Sequence, residues 1–341
     1  MDPRSLLIRD WLERDLGWAL TRMEPASADA SFRRYFRVWN AAGATRIVMD
    51  APPDKEDIAP YVRVAGLLAG CDVHVPQIDA ADAARGLLLL EDLGSTHMLS
   101  ALEAGADAGA LYAAALDALE RIQLRGLAAA RALPPYDRAA LEREMALCPE
   151  WFCRRHLGLG PDAADAQLLA ATFDFLVRQA LAQPVVFVHR DYHSRNLMQL
   201  EHGDLGILDF QDALAGPIGY DLVSLLKDCY IAWPRARVES WVEAYRRRVG
   251  ALAAGAGPRE FLRWFDLIGL QRHIKVLGIF ARLWYRDGKS GYLGDLPRVL
   301  DYVRDTTARY PELAEFSAWV EGRLAPGLAA ANARALAGAG R

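Results

Sequence analysis

The sequence predicts an α+β chain of two lobes, a small strand-rich one followed by a larger helical one. Three observations carry the prediction. Between Thr21 and Gly94 the chain reads as short strands broken by turns, with one inserted helix. After Gly94 it becomes Ala-rich, with apolar residues at the helical period. A single apolar strand pair, within 185–210, interrupts the helices and carries His189, Asp191, His193 and Asp209 at its ends. The boundaries follow: an N-terminal lobe over 1–93, a helical lobe over 94–330 and a tail over 331–341.

The elements are justified in order. Asp2-Pro3 caps and starts a helix with Leu6, Leu7, Trp11 and Leu12 on one face. "SADASFRRYFRVWN" (27–40) and "TRIVMDAPP" (45–53) read as two strands, joined by the turn "NAAGA" and ended by Pro52-Pro53. Residues 57–68 read as a helix with Tyr61, Val64, Leu67 and Leu68 on one side. "HVPQI" (74–78) and "GLLLLEDLG" (86–94) read as two further strands. Residues 107–131 form one long helix, ended by Pro134-Pro135, and helices follow at 137–156 and 163–182. Beyond the strand pair, helices resume at Asp221. The segment "APGLAAANARALAGAG" (325–340) is low-complexity, a frayed helix or disordered.

Bulk properties bound the function. The chain has 341 residues, 52% of them apolar, which is enough for a large core. Its net charge of −4 argues against non-specific nucleic-acid binding. Cys71, Cys148, Cys153 and Cys229 form no CxxC pair and fit free thiols in a reducing compartment. The first residues are interrupted by Arg and Glu, unlike a signal peptide, and no apolar run is long enough to span a membrane. The expectation is a cytoplasmic enzyme, a monomer or weak dimer, with neither nucleic-acid nor membrane partners.

The chemistry concentrates in "VVFVHRDYHSRNLMQLEHGDLGILDF" (185–210). Taken as a hairpin whose turn centres between His202 and Gly203, the stretch opposes Asn196 to Asp209. An amide oxygen and a carboxylate at an open hairpin end suit Mg²⁺, a hard cation that keeps waters and binds phosphates. Asp191, just before Asn196, is placed to accept a proton from a hydroxyl attacking phosphorus. Each residue also has a plainer role. His189 buttresses the loop, Asp191 and Asn196 can make turn bonds, and His193 can be solvated. Asp212 is a supporting or turn residue, and Asp221 is a helix cap. A rival constellation, His189-x-Asp191 with His273, imitates an iron facial triad. It leaves Asn196 and Asp209 unused and wants a β-sandwich.

"HRDYHSRN" followed by "ILDF" resembles the catalytic loop and metal-binding Asp of the aminoglycoside phosphotransferase family, which has a protein-kinase-like two-lobed fold. The resemblance implies that Asp191 is the base and that Asn196 and Asp209 hold Mg²⁺. It also implies that His193 reaches the transferring phosphoryl group and that Asp221 steadies the loop. "SADASFRRYFRV" is similar to the family's nucleotide-covering loop, which assigns Ser31, Phe32 and Arg33 to ATP. "LLLLEDLG" resembles the hinge that holds adenine by backbone groups, here Glu91 to Leu93. The active site is expected where the lobes face each other.

The sequence departs from the kinase pattern at one point. The strand that usually carries a phosphate-pairing Lys reads "RIVMD", with Met49 or Asp50 in its place, and the following helix has Arg63 but no Glu. A reversed pair, Asp50 with Arg63, is one expectation. Arg33, Arg34, Arg46 or Lys55 then supplies the phosphate contact. An inactive kinase-like scaffold is the alternative that this departure keeps open.

For the acceptor, residues 263–298 hold seven Lys or Arg against three Asp. At 100° per residue, Arg272, Lys275, Arg282 and Arg286 fall within an arc of about 80°. A basic stripe suits an anionic substrate, although a solvated helix face looks the same. This segment, with "SADASFRRYFR" and "MDAPPDKED", is similar to one branch of the family, the bacterial anomeric kinases of cell-wall recycling. These phosphorylate C1 of N-acetylmuramic acid and N-acetylglucosamine. By that resemblance the substrate is an amino sugar, Arg272 or Lys275 meets its carboxylate, and Trp233 or Trp284 supports its ring. Aminoglycosides, choline or homoserine are the alternative acceptors.

Overall fold

The computed structural model describes residues 2–28 and 32–338. Along the chain run α1 (Pro3–Asp10), β1 (Leu20–Ala28), β2 (Arg34–Asn40), β3 (Thr45–Asp50), α2 (Ala59–Ala69), β4 (Ile78–Asp82) and β5 (Leu87–Glu91). Then come α3 (Met98–Glu103), α4 (Ala108–Arg125), α5 (Leu127–Ala130), α6 (Arg138–Met145), α7 (Ala163–Leu181), β6 (Val185–Val188), β7 (Leu197–Gln199), β8 (Leu205–Ile207) and β9 (Leu214–Pro217). Helices α8 (Gly219–Leu226), α9 (Arg235–Val249), α10 (Pro258–Asp287), α11 (Leu296–Thr307), α12 (Ala314–Trp319) and α13 (Leu328–Gly338) complete the chain. They fall into two compact units, Met1–Ile122 with Arg195–Asp212, and Gln123–Ser194 with Ala213–Arg341.

The first unit is built on a five-stranded antiparallel sheet of order β1-β2-β3-β5-β4. Asp2 caps α1 by accepting from the Ser5 amide at 3.0 Å, with Pro3 in the first turn. Ile8, Trp11 and Leu12 then pack with Phe36, Val38, Val48, Leu87 and Leu89 on one sheet face. Leu6, expected on the buried side of α1, is exposed. Strand β1 begins at Leu20, before the residues that read as a strand. It contains Pro25, which the outer position in the sheet tolerates because no inner partner needs that missing donor. "HVPQI" is not itself a strand. Its His74 carbonyl accepts from the Ile207 amide at 2.8 Å, and β4 starts only at Ile78.

The β7–β8 hairpin belongs to this first unit. Its ladder pairs Leu197 with Ile207, Met198 with Gly206 and Gln199 with Leu205. The expected register was one residue longer. The loop holds three residues, Glu201–Gly203, closed by Leu200 N–H donating to the Asp204 carbonyl at 3.0 Å, with Gly203 in the left-handed region at φ 86°. An odd loop moves every opposed pair by one. Asn196 therefore faces Leu208, whose amide donates to its carbonyl at 2.9 Å.

The second unit is helical around α10, which packs against α7, α8, α11 and a π-helical segment, Cys148–Leu157. The predicted helix at 137–156 is thus two pieces, separated just before Pro149. Gly278 lets α10 cross that segment closely, since a methyl there would overlap the Leu147 and Cys148 backbone. The low-complexity segment folds into α13 as far as Gly338. All four cysteines are buried free thiols. Among the described residues no helix is long and apolar enough to cross a membrane.

Candidate active site

In the first unit the candidate groups gather at the open end of the β7–β8 hairpin. Asp209 takes a left-handed backbone, φ 61°, which a non-glycine residue adopts at some cost. That turn brings its carboxylate back toward Asn196, whose Nδ2 lies 3.4 Å from Asp209 Oδ2. The two side chains therefore meet although the ladder does not oppose them. Gln211 Nε2 also donates to Asp209 Oδ1 at 2.8 Å, a support the sequence did not single out. Asp212 lies exposed in the same turn. The Phe210 ring packs on Tyr61 of α2 with centroids 4.7 Å apart, anchoring the segment between Asp209 and Gln211.

These donors fit a hard divalent ion. Asp209 offers carboxylate oxygens, and an amide flip presents the Asn196 oxygen to the same point. The Arg33 guanidinium, 3.2 Å from Asp209 Oδ1, shows that the place beside this carboxylate already draws a cation. Among the described residues no three or more His, Cys, Asp or Glu gather into a metal cage. An ion here would take its remaining ligands from water and phosphate.

The other residues expected to meet nucleotide are spread along the first unit. Ser31 lies outside the described residues. Phe32 is exposed, with Lys55 Nζ 6.0 Å from its ring centre. Glu91 ends β5, and its carboxylate meets His74 Nε2 at 3.0 Å and the Gln77 amide at 3.2 Å. The following turn is held by Arg37, which donates to both Asp92 oxygens at 2.7 and 2.9 Å and to the Gly94 carbonyl at 2.6 Å. Leu93 packs onto Gly206, where any side chain would collide with its Cδ1.

The expected Asp50–Arg63 pair does not form. Asp50 is fully buried and accepts from Arg4 Nε at 2.8 Å and Arg34 Nη2 at 2.6 Å, while Arg63 is exposed. Strand alternation is the reason. Asp50 sits opposite Arg34 and on the same face as Val48, the face that α1 covers.

In the second unit the loop after β6 carries Asp191. Asp221, at the start of α8, accepts the His189 amide at 2.7 Å and the Arg190 amide at 2.9 Å. Arg190 has φ 79°, the second left-handed non-glycine residue at a candidate site. His189 is buried, and its Nδ1 accepts from the Asp191 amide at 3.3 Å. At the loop's other end, fully buried Asp228 accepts from Ser194 N at 3.0 Å and Ser194 Oγ at 2.5 Å. Its second oxygen accepts from the Tyr230 amide at 3.0 Å, and the Tyr230 ring packs edge-on to His193 with centroids 5.4 Å apart. Nothing in the sequence marked Asp228, since "LKDCY" matches no motif.

Charge around Asp191 is arranged to keep it ionised. Burial pushes its carboxyl up, but the positive charges of Lys275, His193, Arg190 and Arg272 outweigh that and hold it below the ordinary aspartate value. Burial raises Asp221 to about 7, against the pull of its two amide donors. Glu144, also missed in the sequence, ties the cations together. It accepts from Arg190 Nη2 at 2.6 Å and Lys275 Nζ at 2.9 Å, and it bonds the Tyr136 hydroxyl.

The basic stripe divides along its length. Arg272 and Lys275 are only 4% and 6% exposed, whereas Arg282 is half-buried and Arg286 pairs with Asp287 in solvent. Lys275 is engaged by Glu144 and by the Tyr220 hydroxyl at 3.1 Å. Arg272 donates to the Cys229 thiol at 3.4 Å. Trp233 has the Arg237 guanidinium 4.3 Å from its ring centre. Trp284, twelve residues past Arg272, lies roughly 18 Å further along the helix axis. The iron triad does not assemble around His273. Its Nε2 bonds the Lys227 carbonyl at 3.1 Å, its ring stacks on Tyr302, and burial holds its pKa well below the ordinary histidine value.

The chain is 47% identical over 326 residues to the N-acetylmuramate/N-acetylglucosamine kinase of Pseudomonas aeruginosa, covering 92% of this chain and 95% of that one. It is 44% identical over 319 residues to the protein of that name from Neisseria meningitidis, covering 91% and 93%. Among solved structures it is similar to the choline kinase of Streptococcus pneumoniae, with TM-score 0.62 and 13% identity over 91% of this chain and 100% of that one. It is also similar to the ethanolamine kinase of Plasmodium vivax, with TM-score 0.61 and 11% identity over 84% and 82%. These likenesses show a protein-kinase-like α+β fold, a strand-rich sheet followed by a helical part. With residues 22–263 matching the model of that family as well, the chain belongs to the phosphotransferase enzyme family.

Proposed function

We propose that the protein transfers the γ-phosphoryl group of ATP to the anomeric hydroxyl of N-acetylmuramic acid or N-acetylglucosamine, giving a sugar 1-phosphate for peptidoglycan recycling. One observation carries the substrate. The relatives that share nearly half of its residues, over nine-tenths of both chains, are named for those two sugars. The arrangement around Asp191 supports the chemistry.

Asp191, kept ionised by the surrounding cations, orients the sugar hydroxyl and takes its proton as the new O–P bond forms. The bond between the γ-phosphorus and the bridging oxygen breaks, and ADP leaves with that oxygen. Asp221 and Asp228 hold the two ends of the loop, so Asp191 meets the hydroxyl without a search over loop conformations. His193, braced by Tyr230, offers a further donor to the phosphoryl oxygens. Asn196 and Asp209 would hold Mg²⁺, which when bound draws charge from the phosphates. The backbone from Glu91 to Leu93 receives adenine. Arg272 has donors to spare for the lactyl carboxylate of the muramic sugar, whereas Lys275 is committed to Glu144 and Tyr220. Trp233 and Trp284 remain as candidates for the sugar ring.

The test is ADP release measured side by side with N-acetylmuramic acid, N-acetylglucosamine, kanamycin and choline. Turnover with the two amino sugars is expected, and phosphorus-coupled NMR should place the phosphate at C1. Turnover with kanamycin or choline alone, or with none of the four, would contradict the proposal.

A further inference from the structure

The strand that carries the phosphate-pairing Lys in kinase-like enzymes has no cation facing the nucleotide. Met49 is buried, and Asp50 is turned to the α1 face with Arg4 and Arg34. We propose that Arg33 is the cation that meets the nucleotide phosphates, and that Glu56 positions it. The assignment rests on the ATP-dependent activity proposed above.

Arg33 precedes β2 by one residue and is 9% exposed. Its Nη2 lies 3.2 Å from Asp209 Oδ1, and its Nε lies 3.7 Å from Glu56 Oε2. Glu56 stands three residues ahead of α2, on the turn closed by its amide bonding the Pro52 carbonyl at 3.0 Å. Both halves of the usual strand-Lys and helix-Glu pair have thus moved. The cation has shifted from β3 to the entry of β2, and the acid from inside the helix to the turn before it. The outcome is the same: a paired cation beside the carboxylate that follows β8.

Three other cations compete for the role, and each is committed elsewhere. Arg34 gives Nε and Nη2 to Asp50 at 3.0 and 2.6 Å and reaches Asp2 at 3.2 Å. Its guanidinium thus lies with Asp50, on the face that α1 covers. Arg46 pairs with Asp79 and with the Thr45 carbonyl. Lys55 is largely exposed, 3.5 Å from Asp54. Of the four, Arg33 is the one whose guanidinium reaches Asp209. Its planar fork matches two phosphate oxygens and stays charged at every relevant pH. Glu56 keeps that fork aimed while Asp209 turns to a metal ion. A nucleotide phosphate arriving beside Asp209 then exchanges one anionic partner of Arg33 for another.

Equilibrium binding of ADP, with and without Mg²⁺, tests this on the full chain. Arg33→Met should raise the Kd for ADP about 10- to 100-fold in both conditions, since the contact to phosphate is direct. Arg33→Lys should recover part of the loss, and Glu56→Gln should raise Kd several-fold, as roughly expected for a partly exposed pair. Arg34→Met should stay within about two-fold of wild type. Wild-type affinity in a folded Arg33→Met protein would overturn the assignment alone. If that variant does not fold, unchanged affinity in both Arg33→Lys and Glu56→Gln overturns it equally. Wild-type protein that binds no ADP would overturn the activity as well.

Discussion

The two candidate clusters, one in each unit, are held in opposite ways. In the second unit, Asp191 sits on a loop fastened by buried carboxylates at both ends, Asp221 and Asp228, with Glu144 binding its cations together. In the first unit, Asp209 is 32% exposed and held by side-chain contacts from Asn196, Gln211 and Arg33. The difference matches the division of work proposed for them. A base must be fixed before the substrate arrives, because misorientation costs rate directly. Groups that hold metal and phosphate must change partners each time nucleotide enters and leaves. Buried bonds suit the first task, and exchangeable ion pairs suit the second.

The sharpest way to break this contrast is a matched pair of variants. Asp228→Ala strands the Ser194 amide and hydroxyl and the Tyr230 amide in the interior, and should cost about 3 kcal/mol in urea unfolding. Arg37→Met, which removes an equally well-formed but more accessible pair beside Glu91, should cost only about 1 kcal/mol. Equal costs would erase the contrast.

A smaller effect is set by pH. Asp221 has a folded pKa of about 7, above its ordinary value of 3.8. The folded state therefore binds the extra proton between those values. The stability this contributes is fully present below pH 3.8 and is lost as pH rises through about 7. Unfolding free energy followed over that window should show this falling component in wild type, and Asp221→Asn should flatten it. An unchanged slope in the variant would assign the titration to another group.

The fold class and the family were legible because they rest on local signals. The helical period, the Gly- and Pro-marked turns and the "HRDYHSRN" and "ILDF" motifs all lie within short windows. What failed depended on parity or on distant partners. The hairpin register shifted because a three-residue loop and a two-residue turn read alike in "LEHGDL", yet differ by one in every pair. Asn196 and Asp209 still met, through a left-handed backbone at Asp209 that no sequence pattern announces. The Asp50–Arg63 pair follows from reversing the kinase pattern of strand Lys and helix Glu, whereas side-chain alternation turns Asp50 toward Arg4, 46 residues away. Strand β1 starts at Leu20, before the segment from Ser27 that reads as a strand, and it holds Pro25 at the edge of the sheet, where a missing amide donor is tolerated. Glu144 and Asp228 had no local signal at all, since burial and long-range bonding define their roles.

Under the proposed function, Asp191 serves proton transfer while Asp209 serves the metal-bound nucleotide. Turnover and MgADP affinity, measured together on Asp191→Asn and Asp209→Asn, test it most directly. Asp191→Asn should lower kcat by about 10²- to 10⁴-fold and leave Kd for MgADP unchanged, whereas Asp209→Asn should weaken MgADP binding itself. An Asp191→Asn protein that keeps its rate, or that loses nucleotide as Asp209→Asn does, would contradict the account.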